Sequence, residues 1–106
     1  MPTAYDVLAL PLRRRLLDAL RSGPSTVGDL ADGLGVPQPT VSKQLRILRE
    51  GGFVEVRAEA QRRWYALRGE PFAEVAQWLE PYRWLWEERL DRLGSRLDEM
   101  QDEEQS

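Results

Sequence analysis

The sequence predicts a mainly α-helical fold with one small β-hairpin, in the order α-α-α-α-β-β-α. Apolar residues recur every three to four positions over most of the chain, which is typical of amphipathic helices. Between Phe53 and Leu67 the pattern changes to the alternation of short strands, and the helical spacing returns at Pro71. The length of 106 residues fits one small domain.

A stripe of leucines at every fourth position, from Leu8 to Leu20, predicts the first two helices. Pro11 lies inside this stripe, and proline is favoured at the first position of a helix. A short helix is therefore predicted to end near Leu10, and a second helix to begin at Pro11. The pair Gly23-Pro24 ends the second helix.

The next two helices are separated by a short turn. The third is predicted over Val27–Leu34, where apolar residues follow the helical spacing and Ser25 or Thr26 can cap the first turn. The fourth is predicted from about Gln38 to Glu50, because its prolines fall where no backbone N–H is needed. Its spacing predicts a buried face made of Val41, Leu45 and Leu48.

The hairpin follows a pair of glycines that end the fourth helix. Phe53–Arg57 alternates apolar and polar residues, and Arg63–Leu67 is rich in aromatic residues, so both segments are predicted to be strands. The residues between them, Ala58–Arg62, are predicted to form a hairpin loop of about five residues.

From Pro71 onward, apolar residues recur with the mean spacing of about 3.5 that characterises a coiled-coil seam. Pro81 is predicted to kink or break this helical segment near Glu80. The residues of the seam are Phe72, Val75, Leu79, Tyr82, Trp86, Leu90, Leu93, Leu97 and Met100.

The seam has two interpretations. It could be one more core helix, but the preceding part of the chain is small for burying three further tryptophans. Pairing between two copies is the favoured interpretation, with the first helix beside the seam and Trp84 off it. The predicted dimer interface consists of Leu79, Tyr82, Trp86, Leu90, Leu93 and Leu97.

The predicted organisation is a single domain over residues 1–100, with a core at 11–67, a dimerisation segment at 71–100 and a flexible acidic tail at 101–106. Charge is distributed unevenly along it. Residues 1–67 carry ten basic and seven acidic side chains, whereas residues 68–106 carry five and eleven. The basic front half suggests an anionic partner.

Composition excludes most enzyme classes. The chain has no cysteine and no histidine, so it contains no disulfide, no thiol nucleophile, no Ser-His-Asp triad and no zinc site of the HExxH type. The segment GVPQPT at 35–40 lacks the glycine spacing and the lysine of a phosphate-binding loop. No cofactor, metal site, membrane span or signal peptide is predicted, and a cytoplasmic location is expected.

Two helices joined by a short turn and followed by a two-stranded ribbon form the layout of a winged helix-turn-helix domain. The fourth helix is then the recognition helix. Its face opposite the core carries Pro39, Lys43 and Arg46, flanked by Thr40 and Ser42, with no carboxylate before the last residue. Such a face suits the major groove of DNA, because phosphates repel carboxylates and attract cations.

The ribbon supports the same interpretation. A cluster of polar and basic residues lies around its tip, where a wing would cross a phosphate backbone or enter the minor groove. The cluster consists of Arg57, Gln61, Arg62 and Arg63. An ordinary edge hairpin protected by charge is the alternative for this feature taken alone.

These segments resemble a known family. Pro11–Leu67 is similar to the winged-helix repressors of the ArsR/SmtB type, most specifically in GVPQPTVSKQLRILREGGFV at Gly35–Val54. EPYRWLWEERLDRL at Glu80–Leu93 is similar to the tryptophan-rich terminal helix of a metal-independent branch of that family.

The resemblance implies base-facing positions at Gln38, Pro39, Ser42 and Lys43, and phosphate contacts at Thr40, Gln44 and Arg46. It does not imply metal sensing, because the third helix has no soft ligand and the terminal helix offers carboxylates only.

The predicted function is therefore that of a homodimeric transcriptional repressor without enzymatic activity, which binds an inverted-repeat operator in double-stranded DNA. The alternative is a winged-helix dimerisation module that binds a protein. That function would call for acidic or apolar residues where Lys43, Arg46, Arg62 and Arg63 stand.

Overall fold

The computed structural model describes the backbone of residues 3–105 and the side chains of residues 3–94, 96 and 97. The chain forms two compact units, and the boundary between them falls after Val75, within a helix. The elements are α1 (Ala4–Leu8), α2 (Pro11–Ala19), a 3-10 turn (Leu20–Ser22), α3 (Val27–Leu34), α4 (Gln38–Glu50), β1 (Val54–Glu59), β2 (Arg62–Leu67), α5 (Glu70–Leu79), a second 3-10 turn (Glu80–Tyr82) and α6 (Arg83–Gln105).

Threonine side chains begin two of the helices in the first unit. Thr3 caps α1 by accepting a hydrogen bond from the Asp6 N–H, and the Asp6 carboxylate accepts one in return from the Thr3 N–H at 3.0 Å. That backbone hydrogen bond lowers the pKa of the Asp6 carboxyl. Of the two predicted caps for α3, Thr26 is the one used, and it accepts from the Asp29 N–H at 3.2 Å.

The core of the first unit lies between α1, α2, α3, α4 and the hairpin. The predicted buried face of α4 is confirmed, since Val41, Leu45 and Leu48 are fully buried. The other buried apolar residues are Ala4, Val7, Leu16, Leu17, Leu20, Leu30, Ala31, Phe53, Val54 and Tyr65. This core therefore holds α4 by one face and leaves the opposite face to solvent.

The hairpin differs from the sequence prediction at its tip. β1 and β2 pair antiparallel from Val54 opposite Leu67 to Glu59 opposite Arg62, so the connection is two residues long and not five. The prediction was wrong because Ala60 adopts a positive φ of 55°, a conformation that favours glycine and that an alanine does not signal. Ser25 and Tyr65 exchange backbone hydrogen bonds and attach the hairpin to the segment before α3.

The second unit consists of the end of α5, the 3-10 turn around Pro81 and α6. The predicted break near Glu80 is present as this turn. α6 runs to Gln105, whereas the sequence predicts that the helical segment ends at Met100, because glutamine and glutamate are good helix formers. The side chain of Met100 lies outside those that the structure describes.

Large apolar side chains of the second unit are exposed. They are Trp78, Tyr82, Trp84, Leu85, Trp86, Leu90, Leu93 and Leu97. Within α6 the seam residues from Trp86 to Leu97 follow one face, whereas Trp84 lies on the opposite face at 100° per residue. Among the residues described, no helix is long and apolar enough to span a membrane.

Candidate nucleic-acid interface

The solvent face of α4 carries the side chains that the sequence predicts to touch DNA. Gln38, Pro39, Thr40, Ser42, Lys43 and Arg46 are all exposed, and Gln44 is half-buried. Pro37 precedes the helix in an extended conformation, and Pro39 occupies the first turn, where its missing N–H costs no hydrogen bond. The prolines at 37 and 39 therefore restrict φ on both sides of Gln38, where α4 begins.

A cleft of about 480 Å³ separates one flank of α4 from β2. Ser42, Arg46 and Arg49 follow one another on this flank at helical spacing, and Arg63 faces them from the hairpin. The complete lining is Ser42, Lys43, Arg46, Arg49, Arg63 and Tyr65. Four cations and no carboxylate thus surround one concave surface, which concentrates positive potential at that point.

The four cations of the cleft make no ion pair with any side chain that the structure describes. Other arginines of the chain are paired: Arg57 forms an ion pair with Glu55 at 2.9 Å, and Arg68 forms one with Glu70 at 3.2 Å. Like charges held close together repel, and an anion placed between them relieves that repulsion. The cleft is therefore suited to a phosphate group.

The alternation of the hairpin decides which of its arginines reach this surface. Arg63 lies on the same face of the ribbon as the buried Tyr65, and this face is turned toward α4. Arg57 lies on the other face, opposite Trp64 and beside its partner Glu55. Arg62 is exposed at the tip together with Gln61. The structure thus brings Arg63 to the recognition helix but does not bring Arg57 there.

The other flank of α4 contacts α2. Arg13, in the first turn of α2, donates a hydrogen bond from its Nε to the Oε1 of Gln44 at 2.9 Å. Both side chains are partly buried. The recognition helix therefore has a cleft with the hairpin on one flank and a side-chain hydrogen bond to α2 on the other.

Two residues of this surface, Arg49 and Arg13, were missed by the sequence prediction. The spacing of Ser42, Arg46 and Arg49 along one helical flank could have indicated Arg49. No comparable signal distinguishes Arg13 from the two arginines that follow it. Among the described residues, no group of three or more acidic side chains could hold a metal ion.

Known proteins are similar to this chain in sequence and in fold. A family model described as a helix-turn-helix domain matches residues 8–57. A biofilm growth-associated repressor from Agrobacterium fabrum is 40% identical over 70 residues, which cover 66% of this chain and 60% of the relative. The chain thus spans less than two thirds of that repressor.

The solved structures decide the family. The crystal structure of an ArsR family transcriptional regulator is 33% identical, with a TM-score of 0.67 and coverage of 79% of this chain and 87% of that one. The chain belongs to the ArsR family. A further ArsR-family match, a possible regulator from Mycobacterium bovis solved as a homodimeric winged helix-turn-helix DNA-binding domain, is 31% identical, with a TM-score of 0.63 and coverage of 84% and 80%.

These matches confirm the winged helix-turn-helix fold class and the ArsR family that the sequence predicts. The family is one of helix-turn-helix transcriptional regulators and not of enzymes. In the winged helix-turn-helix layout, α4 corresponds to the second helix of the helix-turn-helix and the β1–β2 hairpin to the wing.

Proposed function

We propose that this chain is a transcriptional repressor that binds double-stranded DNA as a homodimer. The observation that carries the proposal is the cleft between α4 and β2, where four cations meet without a carboxylate. The core of a protein–protein interface is largely apolar, whereas this cleft is lined mainly by charged side chains. A DNA backbone needs the cations that stand there.

Within this proposal, α4 enters the major groove. Lys43 contacts a guanine edge and Gln38 an adenine edge, while Pro39 and Ser42 lie against neighbouring bases. Arg46, Arg49 and Arg63 hold the phosphate backbone that passes through the cleft. Thr40 and Gln44 contact phosphates on the opposite flank of the helix.

The two wing arginines, Arg62 and Arg57, contribute unequally to DNA binding. Arg62 at the exposed tip crosses the backbone or enters the minor groove, and it contacts all sequences alike. Arg57 contacts DNA only after its ion pair with Glu55 opens. Opening this pair costs little free energy, because the Arg57 side chain is 70% exposed and exposed ion pairs are weak.

The second unit supplies the dimer contact in this proposal. Exposed leucines and tryptophans in such number are unusual for an isolated chain and favour a partner helix. Pairing of Leu79, Tyr82, Trp86, Leu90, Leu93 and Leu97 between two copies, with α1 beside them, buries this surface. A twofold dimer then presents two recognition helices to the two halves of an inverted repeat, about 34 Å apart.

Selection of DNA from a random pool by the full chain tests the proposal. We expect enriched sequences to contain an inverted repeat whose half-sites are about one helical turn apart. The variant Lys43→Ala, carried through the same selection, is the control for direct readout and should enrich a less defined half-site. Failure of the wild-type chain to enrich any sequence would contradict the proposed function.

A further inference from the structure

The guanidinium of Arg13 connects two helices that are distant in sequence. Its Nε donates to the Gln44 Oε1 at 2.9 Å, and its Nη1 donates to the backbone carbonyls of Asp6 at 3.2 Å and Val7 at 3.4 Å. The first bond reaches the recognition helix, and the other two satisfy carbonyls at the end of α1. Arg13 therefore holds α1 and α4 through one rigid, planar group.

Arg14 and Arg15, which follow Arg13 in the sequence, donate side-chain hydrogen bonds only to backbone carbonyls at helix ends. The Nη1 of Arg14 donates to the Leu8 carbonyl at 2.6 Å, and the Nη2 of Arg15 donates to the Leu34 carbonyl at 3.2 Å. Both bonds satisfy carbonyls at helix ends, as those of Arg13 do, but neither reaches a side chain of α4. Arg14 is consequently a matched comparison for Arg13.

Chemistry determines which end of the Gln44 amide faces Arg13. A guanidinium carries only donors, so the amide oxygen must point toward it, and the NH₂ group must point away. A glutamine without this contact turns freely about its last torsion and presents its oxygen to DNA about as often as its nitrogen. Only the nitrogen can donate a hydrogen bond to a phosphate.

We propose that Arg13 is a positioning residue for DNA binding, which orients the amide of Gln44 so that its NH₂ group donates to a backbone phosphate. The inference rests on the proposed function. Gln44 lies on the flank of α4 opposite the cleft, together with Thr40, so its phosphate is on the other wall of the major groove. Side chains on both flanks of α4 that donate hydrogen bonds to phosphates fix the position of the helix in the groove.

A double-mutant cycle measured on DNA affinity tests this role. The wild-type chain, Arg13→Met, Gln44→Met and the double variant are titrated against a selected duplex of about 30 base pairs, or three helical turns. Methionine is an unbranched side chain as long as glutamine and shorter than arginine, and it makes neither the hydrogen bond of Arg13 nor that of Gln44. Arg14→Met is the matched control, because it removes the same charge and a hydrogen bond to a helix end. Thermal unfolding of each variant is recorded in parallel.

We expect Gln44→Met to weaken binding by about tenfold, the scale of one charge-assisted hydrogen bond, and the double variant to bind as Gln44→Met does. Arg13→Met should weaken binding by about fourfold, because the freed amide in each of the two protomers presents its nitrogen about half of the time. Arg14→Met should lower affinity by less than about twofold, because the hydrogen bond of Arg14 goes to the Leu8 carbonyl and not to α4, and its exposed charge is screened. If Arg13→Met does not fold, Arg13→Ala supplies the cycle, because alanine is a good helix former and donates no hydrogen bond from its side chain to Gln44.

Losses that multiply in the double variant, or an equal loss for Arg14→Met and Arg13→Met, would overturn the positioning role while leaving DNA binding in place. A wild-type chain that binds no duplex at low salt would instead overturn the proposed function, and the positioning role with it. The two failures are therefore distinguished by the wild-type titration.

Discussion

At the scale of single residues, the proposed recognition surface is distinguished by cations that make no ion pair among the described side chains. The cleft cations Lys43, Arg46, Arg49 and Arg63 make no ion pair with a described side chain, whereas Arg57 on the other face of the hairpin is paired with Glu55. Composition does not reveal this difference, because all five residues carry the same charge. Strand alternation and helical spacing produce it.

The contacts with bases and with phosphates can be separated by substitution. Lys43→Ala should cost about 1–3 kcal/mol on the preferred sequence and relax the preference at one base pair. Arg63→Ala should weaken binding to preferred and unrelated duplexes by similar factors, because a phosphate contact carries no base information. Competition titrations with both duplexes measure the two effects. A Lys43→Ala chain with unchanged base preference would contradict the assignment.

At the scale of elements, the close packing of α1 on the end of α4 limits what can replace Gly51. A Cβ added at Gly51 would lie 2.9 Å from the Cγ2 of Val7, a fully buried side chain with no room to move. The two helices therefore approach each other through a glycine that the sequence marks only as the end of α4.

Substitution by alanine at two glycines tests this packing. Gly51→Ala should destabilise the fold by about 1–3 kcal/mol, the usual cost of overpacking a core. Gly33→Ala is the control, because nothing lies within 4 Å of its added Cβ and it stands in α3, so a gain of about 0.5–1 kcal/mol is expected. Urea unfolding measures both. Equal stability for the two variants would refute the close approach.

The sequence predicted the elements that have local signals. The predicted bounds of α3 and α4 agree with the structure, because threonine, proline and glycine at their ends have well-defined preferences. The turn of the hairpin was mispredicted because Ala60 carries no sign of its positive φ. The contact between Arg13 and Gln44 joins residues 31 positions apart, so no local pattern could reveal it.

At the scale of the whole molecule, the second unit carries many large apolar side chains that are exposed. Trp84, Leu90 and Leu93 are 63%, 60% and 54% exposed. Leu90 and Leu93 belong to the seam, and Trp84 stands on the opposite face of α6. Burial of the seam against a second copy would make folding and dimerisation of α6 depend on each other.

The double variant Trp86→Glu with Leu90→Glu tests the proposed dimer. Charges at paired seam positions should cost several kcal/mol through desolvation and lost apolar contact, of about 1.5–3 kcal/mol per large side chain. We expect a monomer in sedimentation that binds a half-site weakly and loses the gain from linking two sites. Trp84→Glu, off the seam, should remain dimeric. A double variant that stays dimeric with unchanged affinity would place the interface elsewhere.

The salt dependence of DNA binding tests the central claim most directly. With Arg46, Arg49 and Arg63 of the cleft and Arg62 of the wing in each protomer, a dimer makes about eight phosphate contacts. The logarithm of the association constant should therefore fall with the logarithm of salt concentration with a slope of about −7. Arg46→Ala with Arg63→Ala removes about four of these contacts and should reduce the slope to about −4. A wild-type affinity that does not change with salt, or a slope that the double variant leaves unchanged, would contradict DNA binding through the cleft.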